Sequence, residues 1–403
     1  MSPELRFVLL ASLPPSLPPS LSSGQLLAEA AAAVQDWDQV QWLSRYHGVT
    51  GILQRNAVRQ PLEGVPAAVL ERFARRSRRL TVSGLALAAD LVDLCTMLDR
   101  QDIPHRLLKG PALSQHLFGD PCIRVMSDLD ILVPEAQAQA AIVLLQGRGY
   151  RLRSPAIEIT AENWPMLVRG RGDVELIHPE TRRVVELHWR WQRNEALMGF
   201  DPERVWDQGE AVKIGGTRLW MPEPTELVLY LCVHGTRHGW DRLKWLLDLI
   251  WWRQNPDLAL DWVALDRRAA VVGAQPSLHT ALLLMQRLAG QPLPDGVRLL
   301  PVAARLADAA EAGLHARSVA PESAAAPERV SFGALTRALV MEWRMSASWG
   351  GRLRGILWGR FLRPNDLDLI TLALPPGWLW LYGPLKPFLW LYRRVRRIEY
   401  PPI

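Results

Sequence analysis

Apolar and polar positions along the chain separate two helical stretches from a mixed stretch between them. From Gln25 to about Met97, apolar residues recur every three or four positions, which is typical of amphipathic helices. Beyond Pro222 the same spacing returns, with the clearest predicted helices at Glu223–His234 and Arg242–Trp252. Between these stretches, glycine and proline interrupt shorter apolar runs, which predicts strands and short helices.

The mixed stretch begins with a short strand predicted at Arg106–Lys109 and ended by Gly110-Pro111. Proline suits the first turn of a helix, so a helix is expected over Ala112–Phe118. A second strand is predicted at Arg124–Val133, and a helix follows it at Glu135–Leu145.

Three further strands are predicted before the second helical stretch. One covers Tyr150–Arg153. The other two, Asp173–Ile177 and Arg183–Trp189, are separated by the turn Pro179-Glu180-Thr181. Their closeness in the sequence predicts an antiparallel hairpin.

The predicted organisation has four parts. Residues 1–100 form an N-terminal helical region, 101–221 a mixed core, 222–345 a C-terminal helical domain and 346–403 a basic tail rich in tryptophan and proline. The first two dozen residues contain a proline-rich segment, and we interpret them as a loose leader rather than a secretory signal.

The composition narrows the class of protein. Of the 403 residues, 49% are hydrophobic and 22% are charged, which is ordinary for a globular chain and excludes wholesale disorder and a polytopic membrane protein. The three cysteines are far apart and form no CxxC pair. We therefore expect neither a disulfide scaffold nor a cysteine zinc site, and a reducing, cytoplasmic compartment fits best.

The positive charge is concentrated in the tail. The formal net charge is +6, and residues 351–403 alone hold nine basic and three acidic side chains. The rest of the chain is therefore balanced. Affinity for a phosphate backbone needs many clustered cations, so the body of the protein is not expected to bind nucleic acid.

One segment of the tail, residues 369–392, is apolar and long enough to span a bilayer. Four prolines and a lysine interrupt it, and a continuous helix is required in lipid, so a transmembrane helix is not expected. Trp378, Trp380 and Trp390, followed by four arginines, resemble an interfacial anchor. Packing of the same residues on the protein's own helical domain is the alternative, and both interpretations remain open.

The clearest candidate chemistry is the pair Asp128 and Asp130 inside an otherwise apolar strand. Alternation along a strand places both carboxylates on one face, where they repel each other and lose hydration. A hard cation such as Mg²⁺ compensates both costs. The alternative is a strand edge at which both acids meet solvent.

Two companions strengthen the metal interpretation. Upstream, a strand ends in Lys109-Gly110 and turns into a helix, whose N-terminus favours a phosphate group. Downstream, Glu186 and His188 share one face of a predicted strand. A third carboxylate beside the first two would complete a two-metal site for in-line phosphoryl transfer.

This order of motifs resembles the polymerase-β-like nucleotidyltransferase superfamily. More closely, LLKGPAL, RVMSDLDILV and VVELHW are similar to the signature of a bacterial family of uncharacterised nucleotidyltransferases. The likeness covers Leu107–Trp189 and extends loosely into the flanking helices. It implies an α+β fold, with a polymerase-β-like core of a small mixed sheet and helices, flanked by N- and C-terminal helical regions.

The resemblance also implies roles for individual residues. Asp128 and Asp130 would hold two Mg²⁺ ions, and Glu186 would bind the catalytic metal or accept the proton of the acceptor hydroxyl. The residues assigned to nucleotide binding are Lys109, Gly110, Ser114, Arg124 and Ser127. His188 and His234 are candidates for an acceptor pocket.

Each of these assignments has a structural alternative. Arg124 would instead form an ion pair with Asp120 or with the acidic cluster, and His188 would be a hydrogen-bonded structural histidine. His234 and His238 have the helical spacing of two zinc ligands, although no HExxH glutamate accompanies them. Pro111 stands where the superfamily has a residue with a backbone N–H, which removes one donor to phosphate.

We therefore expect a cytoplasmic bacterial enzyme that transfers a nucleoside monophosphate from an NTP to a small molecule, a peptide or a protein, with release of pyrophosphate. The alternative is a catalytically inactive member of the fold that acts as a binding or scaffolding subunit, with the tail on the inner face of a membrane. Nucleic-acid modification is a third and weaker hypothesis, because the body carries no excess of positive charge.

Overall fold

The computed structural model places a small sheet between two groups of helices. It describes residues 1–17, 24–60, 62–155, 159–160, 163–192, 194–319, 340–346, 350–351, 353, 366–372 and 374–396. The helices are α1 (Pro3–Ser12), α2 (Gly24–Ala32), α3 (Trp37–Tyr46), α4 (Thr50–Arg59), α5 (Ala67–Asp99), α6 (Gly110–Phe118), α7 (Ala138–Gly147), α8 (Trp164–Gly170), α9 (Pro202–Trp206), α10 (Pro224–Arg237), α11 (Leu243–Gln254), α12 (Trp262–Val272), α13 (Gln275–Ala289), α14 (Pro301–Val319), α15 (Asp366–Thr371) and α16 (Tyr382–Arg396). The strands are β1 (Arg106–Leu107), β2 (Asp128–Leu132), β3 (Arg151–Ser154), β4 (Asp173–Ile177), β5 (Val184–His188), β6 (Gly209–Ile214) and β7 (Thr217–Pro222).

Strands β1 to β5 form one mixed sheet in the order β1-β2-β5-β4-β3. β2 pairs antiparallel with β1 and parallel with β5, whereas β4 pairs antiparallel with both β5 and β3. The predicted hairpin is confirmed as β4 and β5. The predicted α+β fold, a small mixed sheet with flanking helices, is confirmed as well.

The first helix, α1, belongs to the core. Ser2 caps it by accepting a hydrogen bond from the Leu5 backbone N–H, and Phe7 on its apolar face is completely buried. The prediction of a loose leader was therefore wrong for residues 3–12, because this apolar run is long enough to form a helix that other helices cover. Residues 18–23 of the predicted leader lie outside the described part of the chain.

Strand β2 is shorter than predicted. It begins at Asp128 and not at Arg124, because the residues before Asp128 have other partners. The Arg124 backbone N–H donates to Ser114 Oγ, and its guanidinium forms an ion pair with Asp248 on α11. The four residues from 124 to 127 therefore form a loop that leads into the strand.

A second, two-stranded sheet of β6 and β7 was not predicted. The two strands pair antiparallel, and the residues between them are Gly215 and Gly216, which adopt φ angles of 56° and 84°. Two glycines between alternating runs are a recognised hairpin signal, because a tight turn of this kind needs positive φ at both positions. The signal was therefore present in the sequence.

One buried apolar cluster runs through the first three predicted regions. It includes Phe7 of α1, Leu129 of β2 and Leu282 of α13. The indole N–H of Trp251 on α11 donates to the carbonyl of Ser12 at the end of α1, across 239 residues of sequence. The predicted boundaries near residues 100 and 221 therefore mark changes of secondary structure within one continuous core.

The described part of the tail forms a smaller cluster of its own. Leu369 of α15 and Tyr382 and Leu389 of α16 pack with Leu167 of α8. The partner in this cluster is a helix of the mixed core, and not the C-terminal helical domain that the sequence suggested. Residues 369–392 do not form one continuous helix, as their prolines predicted: α15, a 3-10 turn at Pro376–Leu381 and α16 follow one another.

Among the described residues, one helix is long and apolar enough to cross a membrane. This helix is α5, which has 33 residues, and 39% of its most apolar window is buried inside the protein. The core helices of soluble proteins meet the same criterion, so length and composition are weak evidence for a membrane span.

Candidate functional site

The pairing of three strands brings several carboxylates to one face of the sheet. The parallel register of β2 and β5 places Asp130 opposite Glu186. The antiparallel register of β5 and β4 places Glu175 opposite Glu186 and Asp173 opposite His188. Because side chains alternate along a strand, Asp128 lies on the same face as Asp130. The apolar residues between the acids, such as Leu129 and Leu187, point to the other face of the sheet and belong to the core. Burial of these apolar residues therefore directs the carboxylates to the opposite face.

These carboxylates line a cavity of about 330 Å³. The sheet supplies its acidic wall, and helices α10 and α11 supply the opposite wall, which includes Tyr230, His234, Arg237, Lys244 and Trp245. The sheet and the helical domain therefore enclose the site together.

Asp130 is at the centre of a buried network of charges. It is 3% exposed, and its Oδ1 atom lies 2.9 Å from Lys109 Nζ, which is also buried. His188 Nε2 lies 3.4 Å from Asp130 Oδ1 and 3.4 Å from Glu186 Oε2. One lysine and one histidine therefore compensate the two carboxylates.

The network shifts the pKa values of its members. Burial alone would raise the pKa of Asp130, but Lys109 and His188 outweigh burial and hold this pKa well below its usual range. Burial alone would lower the pKa of His188, but the carboxylates of Asp130 and Glu186, each 3.4 Å from its Nε2 atom, raise it to about 9. Asp130 is consequently an anion at neutral pH, and His188 carries a proton that a metal ion bound to its ring nitrogen would displace.

Asp128 is less enclosed than Asp130. Its carboxylate faces the cavity, and Ser127 Oγ lies 3.4 Å from its Oδ1 atom. Burial and the neighbouring Asp130 raise the pKa of Asp128 above its usual range. A further positive charge in the cavity would therefore stabilise the ionised form of Asp128 beside the Asp130 carboxylate.

Three of the cavity side chains could hold a metal ion. Ligand atoms of Asp130, Glu186 and His188 all lie within 4.8 Å of one another. Carboxylate oxygens suit hard divalent cations, and imidazole adds a nitrogen ligand, so this donor set fits a divalent metal. The predicted metal set contained Asp128 in place of His188. In the described part of the chain, no other group of three or more acidic, histidine or cysteine side chains comes together in this way.

Gly110 makes the predicted turn from strand to helix. It adopts a φ angle of 68°, which a side chain disfavours, and the first turn of α6 follows with Pro111. A Cβ atom at Gly110 would lie 3.6 Å from the Asp128 carbonyl oxygen, which is ordinary contact. Glycine is therefore required here for its backbone angle, which aligns Lys109 with the acidic strand.

Two residues assigned to nucleotide binding have structural partners. Ser114 is completely buried and does not line the cavity: its hydroxyl donates to the Asp120 carbonyl and accepts from the Arg124 N–H. Arg124 does line the cavity, but its Nε donates to both oxygens of Asp248, at 2.9 and 3.0 Å. Arg124 therefore forms an ion pair, but the expected partners, Asp120 and the acidic cluster, were wrong.

Sequence reasoning missed two cations on the helical wall. Lys244 Nζ donates to the Val125 carbonyl at 3.4 Å, and Arg237 donates to the side-chain carbonyl of Gln192. Within the described residues, neither cation lies within 4 Å of a carboxylate. Burial, together with the charge of Arg124, lowers the pKa of Lys244 to about 8. These two side chains are therefore available to an anion in the cavity.

The two histidines of α10 lie beside these cations. The His234 and His238 rings are 4.6 Å apart, and the Trp245 ring packs against both. Burial, together with Lys109 and the other nearby positive charges, lowers the pKa of His234 well below its usual value, so its ring is neutral. No third ligand joins this pair within the described residues, which gives no support to a zinc site.

A family model described as "Uncharacterised nucleotidyltransferase" matches residues 33–290, which is more than half of the chain. The chain belongs to this family. No curated protein matches it.

The residues that match the nucleotidyltransferase family include the whole cavity. The match begins before α3 and ends after α13, so it contains the sheet and both helices of the opposite wall. α1 and the described part of the tail lie outside it. The family likeness therefore concerns the site and its support, and the tail has to be interpreted from its own residues.

Proposed function

We propose that this member of the family is a Mg²⁺-dependent nucleotidyltransferase that transfers a nucleoside monophosphate from an NTP to an acceptor hydroxyl or phosphate. The acceptor oxygen would form a bond to the α-phosphorus, the bond to the β-phosphate oxygen would break, and pyrophosphate would leave. The observation that carries the proposal is the parallel pairing of β2 and β5, which sets Asp130 beside Glu186 in a cavity that is also lined by Lys244 and Arg237.

The acidic wall would hold the metal. Asp128, Asp130 and Glu186 would supply carboxylate oxygens for two Mg²⁺ ions, and His188 lies close enough to contribute to the same group. Bound Mg²⁺ neutralises phosphate charge and orients the reacting oxygens. The side chain of Glu186 is 35% exposed, against 2% for Asp130, so Glu186 would be the better placed of these two to accept the acceptor's proton.

The helical wall would hold the nucleotide. Among the described residues, no carboxylate lies within 4 Å of the cationic groups of Lys244 and Arg237, so their charge would suit the β- and γ-phosphates. In this proposal Lys109 would stabilise the acidic wall. Its ammonium group is in contact with Asp130, so it stabilises the charged carboxylate in the buried network.

The acceptor would enter beside α10. His234 is a neutral ring next to aromatic Tyr230 and Trp245, and these three side chains form the less polar part of the helical wall. A neutral imidazole can donate and accept hydrogen bonds, which suits an acceptor with hydroxyl groups. A small molecule, a peptide or an exposed segment of a protein is compatible with this wall.

The test is thermal unfolding of the full chain with each NTP, with and without Mg²⁺. A ligand that binds only the folded protein stabilises it by about 2.7 kcal/mol at a hundredfold excess over Kd. We expect a Mg²⁺-dependent shift in the wild type that disappears in Asp128→Asn and in Asp128→Ala/Asp130→Ala. Asp128→Asn is the cleaner variant, because it keeps the buried Lys109–Asp130 ion pair.

The control is Asp308→Asn, which removes an exposed carboxylate that pairs with Arg287 on the far helices. It should keep the full nucleotide shift. A shift of equal size in Asp128→Asn and the wild type would contradict the proposal.

A binding or scaffolding subunit without catalysis is the second candidate. It is favoured by the contact of Lys109 with Asp130 and by Pro111, which offers no N–H at the turn. The same experiment separates the two functions, because the absence of a shift with every nucleotide would support the binding subunit.

A further inference from the structure

Helix α16 carries a second apolar stripe that faces away from the protein. Phe388, Leu391, Tyr392 and Val395 are 68%, 54%, 48% and 73% exposed. Their spacing of three, four and seven residues places all four on one side of the helix. Solitary apolar residues on a surface need no explanation, but a stripe of four at helical spacing does.

The opposite side of α16 fixes this orientation. Tyr382 and Leu389 are buried in the cluster with α8 and α15. Arg393, on the same side, forms an ion pair with the completely buried Asp368 at 2.7 Å. A helix held by these contacts cannot turn its exposed stripe inward without separating a buried ion pair, which is costly.

Three exposed tryptophans lie near the stripe in the sequence, two of them before α16 and one on its flank next to Leu391. Trp378 and Trp380 in the 3-10 turn are 59% and 64% exposed, and Trp390 on α16 is 56% exposed. Tryptophan is enriched at the boundary between water and the hydrocarbon of a bilayer, because its ring is amphipathic. We refer to these three tryptophans and the four stripe residues as the tail surface.

Positive charge borders the tail surface. Arg394 and Arg396 are exposed, and their guanidinium groups lie 5.3 Å from the Trp390 ring and 5.9 Å from the Tyr392 ring. Of the two acidic residues in the described part of the tail, Asp368 is already paired with Arg393. The surface therefore combines aromatic and aliphatic groups with a net positive border.

We propose that the tail surface docks on an anionic lipid bilayer, with α16 lying in the plane of the interface. An amphipathic helix with aromatic residues on one side and arginines beside them binds through buried apolar area and attraction to anionic headgroups. Pro384 and Pro387 and the turn before α16 oppose a membrane-spanning helix, so the helix lies on the bilayer and does not cross it. This inference is independent of the chemistry in the cavity.

The test is co-sedimentation of the full chain with vesicles of phosphatidylcholine alone and with vesicles that also contain phosphatidylglycerol. The wild type should bind the anionic vesicles at least tenfold more tightly, and added salt should weaken this binding. Phe388→Ser/Val395→Ser should lose at least tenfold in affinity for the anionic vesicles. Arg394→Gln/Arg396→Gln should lose the preference for anionic lipid.

The matched control is Val58→Ser/Val271→Ser, which removes two valines with exposures of 76% and 77% elsewhere on the protein. It should bind vesicles like the wild type. Absence of wild-type binding to both vesicle types, or equal losses in the control and the stripe variant, would overturn the proposal. Analytical ultracentrifugation without lipid adds a further outcome: a dimer that Phe388→Ser/Val395→Ser dissociates would assign the surface to a second copy of the chain instead.

Discussion

At the scale of single residues, the cavity separates two kinds of charge. On the sheet, Asp130 and Glu186 are compensated by Lys109 and His188 within 3.4 Å. On the helices, Lys244 carries its charge next to Arg124, and in the described part of the chain no carboxylate lies within 4 Å of it. A buried cation beside another cation destabilises the folded protein, and such an arrangement is typical of a site that is completed by a ligand.

This arrangement predicts that Lys244→Met stabilises the protein while it weakens nucleotide binding. Removal of the unfavourable charge should increase the free energy of unfolding at pH 7 by about 1–3 kcal/mol, since one pKa unit corresponds to roughly 1.4 kcal/mol. The NTP-dependent thermal shift should correspond to at least tenfold weaker binding. Urea denaturation and the thermal shift assay measure the two effects.

The pH dependence of stability should differ between Lys244→Met and the wild type. The pKa of Lys244 falls from an ordinary 10.5 to about 8 on folding, so the unfolded chain binds more protons between these values. The wild type should therefore gain stability relative to the variant as pH rises from about 8 to about 10.5, and the difference should be constant below pH 8. Lys213→Met, at an exposed position of β6, is the control and should follow the wild type. Parallel pH profiles for Lys244→Met and the wild type would refute this interpretation.

The cavity carboxylates could be predicted from the sequence, and the cations that face them could not. Asp128, Asp130 and Glu186 interrupt apolar strands, and such interruptions are visible in any alternating pattern. Lys244 sits in an unremarkable position of a helix, and its contact with Val125 spans 119 residues. Only tertiary folding brings such residues together, so no local pattern could have indicated them.

At the scale of elements, the loop before β2 connects the sheet to both helical groups. Ile123 directly precedes this loop, and Arg124 begins it and is paired with Asp248 of α11. On the other side, Gly51 of α4 packs directly against it, and a Cβ atom at Gly51 would lie only 2.2 Å from the Ile123 carbonyl oxygen. The loop is therefore held between two helices that are distant in sequence.

We predict that Gly51→Ala destabilises the protein by about 1–3 kcal/mol, because the new methyl group displaces the backbone of the loop. The same displacement should weaken nucleotide binding, since the loop leads into Asp128. Gly147→Ala at the end of α7 is the matched control: no atom lies within 4 Å of its Cβ position, and the variant should have the stability of the wild type or slightly more. Urea denaturation measures the stability of both variants. Equal midpoints of unfolding would contradict the close contact between Gly51 and the Ile123 carbonyl.

The existence of strands with an alternating pattern could be predicted from the sequence. Their first and last residues could not always be predicted, because these depend on tertiary partners. β4 occupies its predicted residues, and β5 lies within the stretch predicted for it. The predicted strand at Arg124–Val133 lost its first four residues because Arg124 pairs with a helix that the local pattern does not reveal. The hairpin of β6 and β7 was not predicted, although the two glycines between the strands are a local signal for its turn.

At the scale of the whole molecule, α1 ties the first residues of the chain to its middle. Asn56 of α4 donates to the carbonyls of Ala11 and Leu13, which satisfies acceptors at the end of α1. Trp251 of α11 donates to the Ser12 carbonyl. An apolar run followed by prolines suggested a detached leader, because sequence alone does not show which helices are available to cover such a run.

We therefore predict that Phe7→Ala destabilises the entire protein by about 3–5 kcal/mol, as expected for a large aromatic side chain removed from a core. Phe7 is completely buried and contacts the Trp37 ring at a centroid distance of 5.2 Å. Phe388→Ala, at a position 68% exposed, is the matched control and should change stability by less than about 0.5 kcal/mol. Thermal and urea unfolding monitored by circular dichroism provide the measurement, and similar midpoints for the two variants would restore the idea of a loose leader.

The hydrogen bond between Ser12 and Trp251 also has a consequence for folding during synthesis of the protein. Translation proceeds at about 5–20 residues per second, so the 239 residues between these partners take roughly 12–48 s to be added. Throughout that interval α1 can pack only against α2, α3 and α4, which follow it directly, and the Ser12 carbonyl lacks the indole N–H of Trp251. We therefore expect α1 to exchange its amide hydrogens faster in chains that end before α11 than in the full chain.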